Sequence, residues 1–208
     1  MPRIFDVILG RTKPVQANLD ALFGLVGAVI QLQASESLVP SGEAGVCYKP
    51  AAGKPFAETA AEADSLLDLP GEDGAKTGLR QEGDQYGYHW VVPSSDDFQV
   101  LVNRVHLINS TLQDNGYGPQ LLCSVFGFKP EGSGAGASAG AGAASAAVPT
   151  YLVYLYKRGS FYPFVALPGG GEKRDHESEL RLQMVLANDL KIEQDKERWM
   201  PLWGLPVH

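Results

Sequence analysis

The sequence predicts an α+β fold, a mostly antiparallel sheet with helices packed mainly on one face. Three observations carry this. A hairpin signal stands out at residues 151–164, where two aromatic and β-branched runs flank a short polar turn containing Gly159. Apolar stripes at helical spacing are interspersed with such extended runs. Strand and helix do not alternate with the regularity of a doubly wound parallel sheet.

The first helix is expected over 18–31. Leu19, Leu22, Phe23, Val26, Val29 and Ile30 fall at i, i+3, i+4, i+7, i+10 and i+11, a stripe that faces a core. Gly24 and Gly27 each lower its helicity by about 1 kcal/mol, so their use is close approach of another backbone. Two short extended runs follow, 37–40 and 45–49, parted by Ser41-Gly42-Glu43. Lys54-Pro55 opens a second helix to about residue 67, with Phe56, Ala60, Ala63 and Leu67 facing inward.

A strand pair is expected at 77–82 and 86–92 around Gly83-Asp84, with Tyr86, Tyr88 and Trp90 on one face. Ser94 and Asp97 have capping-box spacing at the next helix start. Phe98, Leu101, Val102, Val105, Ile108 and Leu112 form its apolar stripe, and Asn115-Gly116 closes it. Residues 119–129 read as a further strand.

Residues 131–148 are Gly, Ala and Ser with a single charge. Such a segment cannot bury enough surface to offset its ordering entropy. It is expected to be a flexible insertion between two strands of one sheet, inside a single domain spanning 1–208. The last helix is expected over 172–188, with Leu180, Met184 and Ala187 on one face and Leu182, Val185 and Leu186 broadening it. The aromatic tail, 198–206, cannot be helical throughout.

Both faces of the hairpin's first run are bulky: Tyr151, Val153 and Leu155 on one side, Leu152, Tyr154 and Tyr156 on the other. One face can enter the core. The other needs a helix, another chain or a ligand. We read Tyr154, Tyr156, Phe161 and Tyr162, with Trp199 and Trp203 of the tail, as a protein interface, because Tyr and Trp combine large contact area with a polar tip. The competing reading buries both faces, one under the last helix and one in the core.

The chain has 208 residues, 44% hydrophobic and 20% charged, ordinary for a soluble globular protein. Its net charge of −7, from 17 Lys+Arg against 24 Asp+Glu, argues against non-specific nucleic-acid binding, which needs a basic surface. The apolar run at 4–9 is broken by Asp6 and too weak for a signal peptide. Residues 21–35 are uncharged but fall short of the roughly 20 apolar residues of a spanning helix. The expectation is a cytoplasmic protein without a membrane span. Brief contact of the N-terminal segment with anionic lipid, and self-association as a homodimer, are left open.

Cys47 and Cys123 both sit in apolar strand-like runs and read as buried reduced thiols, with a disulfide available if their strands are neighbours. His89, His106 and His176 are candidate catalytic groups, and none has a Ser or Cys partner in a catalytic motif. The expectation is no cofactor, no metal and no enzyme. The alternative is a hydrolase with an unrecognised polar site.

Several blocks together carry a resemblance. They are Leu19-Asp20-Ala21-Leu22-Phe23 after Lys13-Pro14, Tyr86-Gly87-Tyr88-His89-Trp90-Val91-Val92, Asn109-Ser110-Thr111-Leu112 and Gly116-Tyr117-Gly118-Pro119-Gln120-Leu121-Leu122. To these add 151–159, Phe161-Tyr162-Pro163-Phe164, Arg198-Trp199 and Pro201-Leu202-Trp203-Gly204. They resemble the PspA-associated protein PspAB family, over nearly the whole chain except the Gly/Ala/Ser insertion. The resemblance implies an accessory role in the phage-shock envelope-stress response, with a PspA-like protein or a related stress component as partner. Some relatives are associated with an HtpX-like membrane protease. No catalytic motif travels with the resemblance. The element order is also similar to the type III secretion chaperone-like fold, an analogy at fold level only.

Overall fold

The computed structural model describes residues 17–49, 77–133, 148–168 and 171–208. Its strands are β1 (Leu38–Tyr48), β2 (Thr77–Gly83), β3 (His89–Ser95), β4 (Leu121–Pro130), β5 (Thr150–Leu155) and β6 (Ser160–Val165). They form one sheet in the order β2-β3-β1-β4-β5-β6, and every neighbouring pair is antiparallel. The helices are α1 (Gly24–Glu36), α2 (Phe98–Leu112) and α3 (His176–Leu186). The α+β fold with an antiparallel sheet is thus the one expected.

The stripe of α2 is as the sequence predicts. Leu101, Val102, Val105, Ile108 and Leu112 are buried, and Phe98 packs partly buried against Phe126 and Phe128. Its cap differs from the expected box. Asp97 is itself the N-cap and accepts from the Val100 amide at 3.1 Å, while the Ser95 hydroxyl accepts from Asp97 N–H. Past α2 the chain turns at Gly116, φ 84°, a conformation that favours glycine.

The first helix buries a different face from the expected one. Leu19, Leu22, Leu25, Ala28 and Leu32 are inside, whereas Phe23 and Ile30 are exposed. The cause is a 3₁₀ turn over Leu19–Phe23, which has three residues per turn and so spaces its inner positions by three before α1 begins. Gly24 permits the close approach expected of it: a Cβ there would stand 3.2 Å from the Asp189 carbonyl. Gly27 faces open space and does not.

Residues 38–48 form one strand rather than two runs. Ser41-Gly42-Glu43 is an irregularity opposite β4, where the register shifts between Pro40 and Ala44 and Gly42 has φ 95°. The expected helix over 54–67 lies outside the described residues, as does 134–147 of the Gly/Ala/Ser segment. The strands on either side of that segment, β4 and β5, are neighbours with Phe128 opposite Thr150.

On α3 the expected face is again displaced. Leu180 and Met184 are exposed, and Glu179, Leu182 and Leu186 are buried. Glu179 enters the core because it is fully partnered. It accepts from the Val165 amide at 3.0 Å and from Arg174 Nε at 2.8 Å, and its other oxygen lies 3.2 Å from His176 Nδ1. Arg174 also donates to the Trp199 carbonyl and lies 5.3 Å from the Phe164 ring centroid.

The helices cover the face of the sheet that carries Val46, Ser124, Tyr154 and Phe161. Asn109 of α2 marks it by donating to Ser124 Oγ at 2.9 Å. The other face carries Cys47, Cys123, Val125, Val153 and Tyr162, and the residues after α3 fold back across it. Residues 191–193 also pair with Phe161 and shield the β6 edge, with Phe161 N–H donating to Lys191 and Glu193 N–H to Phe161.

Candidate functional site

The hairpin forms where the sequence puts it, with Gly159 at φ 60° in the turn. Its aromatic residues, however, are core. Tyr154, Tyr156, Phe161 and Tyr162 are at most 2% exposed, and Trp199 is also buried. The expected aromatic interface therefore presents no open surface at these five residues. The competing reading, with both faces covered, describes their packing, though the tail and not the last helix supplies most of the second cover.

Each hydroxyl finds a partner, as burial demands. Tyr154 donates to the Asn18 carbonyl at 2.8 Å and Tyr156 to Gln113 Oε1 at 2.6 Å. Tyr162 donates to the Met200 carbonyl at 2.8 Å. Burial pushes the Tyr154 phenol up to about 12, with Tyr156 nearby adding to it. Burial raises the Tyr162 phenol as well.

The tail is fastened at several points. Trp199 stacks on Tyr162 with centroids 5.9 Å apart and donates from its indole to the Glu193 carbonyl at 3.0 Å. Trp203 meets Phe164 edge-on at 5.1 Å. Val207 is fully buried over Gly45 and Gly127. Beyond it, Glu43 pairs with Arg80 at 2.6 Å and accepts from the His208 amide at 2.9 Å, while Arg80 donates to the Pro206 carbonyl. Burial alone would raise the Glu43 pKa. The hydrogen bonds from Arg80 and His208 outweigh it and hold the carboxyl below its usual range.

Between this tail and the β2–β3 turn lies a cleft of about 400 Å³. Its floor is Cys47, Cys123, Leu155 and Tyr162. Tyr86, Tyr88, Trp90 and Asp84 form one wall, and Met200, Leu202, Trp203 and Leu205 the other. Tyr86 and Tyr88 do not extend β3 as expected, because the strand begins at His89. They sit in a turn organised by Asp84, whose Oδ1 accepts from the Tyr86 and Tyr88 amides at 2.8 and 2.9 Å. Oδ2 accepts from the Trp90 indole at 3.0 Å. Burial works to raise the Asp84 pKa, but these hydrogen bonds win and lower it. The carboxylate thus stays charged at the rim of an otherwise apolar cleft. Tyr86, Tyr88 and Met200 remain exposed there, and Trp203 is half-buried.

Of the expected interface residues, the cleft unites Tyr162 and Trp203, while Tyr154, Tyr156 and Phe161 lie on the helix side of the sheet. Sequence reasoning passed over Asp84 and Met200. Asp84 carries a usable signal, a carboxylate placed two and four residues before the amides it accepts. Met200 carries none, because only the return of the tail brings it there.

The three candidate histidines do not assemble a site. His89 and His106 do not line the cleft. His106 stacks on Phe23 at 4.8 Å and lies 3.8 Å from the exposed Asp20, and His176 contacts the buried Glu179. Among the described residues no three His, Cys, Asp or Glu side chains group to hold a metal, and no helix is long and apolar enough to cross a membrane.

A family model described as PspA associated protein B matches residues 2–207, nearly the whole chain. No curated protein and no solved structure matches it.

Proposed function

The chain belongs to the PspA associated protein B family, and from that premise we propose that it is a non-enzymatic, cytoplasmic accessory protein of the phage-shock stress response that seats apolar side chains of a PspA-like partner in the aromatic cleft. The observation that carries this reading is the cleft itself. It is apolar, rimmed by exposed Tyr86, Tyr88 and Met200 with half-buried Trp203, and held open by a fastened tail. Aromatic and Met side chains around a desolvated pocket are the composition of binding hot spots. Tyr162 forms part of the cleft floor, whereas the packed Tyr154, Tyr156, Phe161 and Trp199 do not line the cleft and support it from behind. Asp84, charged at the rim, offers an acceptor for a partner N–H.

The test is titration of the purified chain with a purified PspA-like protein from the same cell. Tyr88→Ser and Trp203→Ala should each weaken binding by about tenfold or more, with thermal unfolding of Tyr88→Ser little changed. No binding by the parent chain, or equal binding by both folded variants, overturns the reading. Sedimentation of the chain alone distinguishes self-association: a dimer lost in Trp203→Ala would make a second copy the occupant.

A further inference from the structure

Cys47 on β1 and Cys123 on β4 are direct partners in the antiparallel ladder. Residues so paired have Cα atoms about 4.5–5.5 Å apart, inside the range of about 4.4–6.8 Å that a disulfide spans. Directly opposed residues also project to the same face. Both cysteines are free thiols, and both contribute to the floor of the cleft. The two residues are 4% and 7% exposed and line the cleft, which is the route by which a small oxidant reaches them. The register shifts between Cys47 and Tyr48, which loosens the ladder beside the pair.

We propose that Cys47 and Cys123 form a modification site, a cross-strand dithiol that hydroperoxides oxidise to an intramolecular disulfide. One sulfur, as thiolate, attacks the terminal peroxide oxygen. The O–O bond breaks, an alcohol or water leaves, and a sulfenic acid forms. The second sulfur attacks that sulfur, the S–S bond forms, and the hydroxyl departs as water with the second thiol's proton. The two thiols together lose two electrons, and the peroxide bond gains them. A dithiol reductant reverses the step by thiol–disulfide exchange. The hydrogen bond to Cys123, together with burial, pushes the Cys47 thiol well above its ordinary pKa. Thiolate is therefore scarce at Cys47, which slows attack by that sulfur on peroxide.

The test exposes the native full chain to hydrogen peroxide, alkylates it after denaturation, and weighs it intact. The expected product is a monomer lighter by two hydrogens that resists alkylation at both cysteines and regains both thiols in dithiothreitol. Cys47→Ser and Cys123→Ser should each lose this product and accumulate oxygen adducts on the remaining thiol. Two alkylatable thiols after treatment, oxygen adducts in the parent chain without the disulfide, or a disulfide only between chains would each overturn it. Should a serine variant fail to fold, peptide mapping of the parent chain decides by showing the Cys47–Cys123 crosslink or its absence.

Discussion

Val207 rests on Gly45, its Cγ2 methyl 2.9 Å from where a Cβ on that glycine would stand. The Trp90 ring closes the same spot at 3.0 Å. Any side chain at position 45 must therefore displace the tail or the indole. Gly45→Val should cost about 1–3 kcal/mol by overpacking, read as a fall in Tm of roughly 2–4 °C per kcal/mol. Adding Val207→Gly to the same chain should recover part of the loss, which a calorimetric double-mutant cycle measures.

Tyr154 separates a hydroxyl from a ring. Tyr154→Phe removes one of two donors to the Asn18 carbonyl, which keeps the Ala21 amide, and should cost about 0.5–1.5 kcal/mol. Tyr154→Ala also opens a cavity and should cost about 3–5 kcal/mol. The double change of Tyr154 and Tyr156 to Ser should unfold the chain in a urea titration rather than spare the fold and abolish partner capture alone.

Glu179 is a carboxylate inside the protein with a guanidinium against it. Glu179→Ala leaves the Arg174 guanidinium in a buried space without its carboxylate and the Val165 amide without an acceptor. The expected loss is about 3–5 kcal/mol. Chemical unfolding of Glu179→Ala beside Leu180→Ala checks it, since the exposed Leu180 should cost a small fraction of that.

Glu193 ties stability to pH. Its pKa is lowered from 4.5 to about 2, first by the hydrogen bond from Arg158, against the cost of burial, with further help from the Asp195 amide and Ser160. A folded-state pKa below the unfolded one adds stability above the unfolded value, and that stability is lost as pH falls through the folded value. Glu193→Gln should therefore melt below the parent at neutral pH, and the gap should close as pH falls from about 4.5 to about 2. A gap that stays constant over that window would assign the effect to packing.

The sequence carries the sheet well and the helix faces unevenly. The hairpin is legible because Gly159 and two β-rich runs act locally, and α2 because its stripe is uniform and long. The inner face of α1 is displaced by one 3₁₀ turn, which no residue in Leu19–Phe23 announces. The inner face of α3 is hidden because a carboxylate, Glu179, takes a core position that periodicity reserves for apolar residues. For the cleft, the sequence shows aromatic runs and an aromatic tail but not that they meet. That encounter depends on Gly45 and Gly127 leaving room for Val207, on Arg80 and Glu43 gripping the chain near it, and on Asp84 holding Tyr86 and Tyr88 in their turn.

The fastening of the tail also bears on the order of folding. Its contacts join distant parts of the chain, with Glu43 and the His208 amide 165 residues apart. Closing so long a loop is entropically costly until the sheet already stands. The helix-covered side can condense first, and the tail can detach as a unit while that side persists. Native-state hydrogen exchange should then find the Trp199 and His208 amides opening at a free energy well below that of the β1 and β4 amides. Equal opening energies would mean that the tail and the sheet form one cooperative unit.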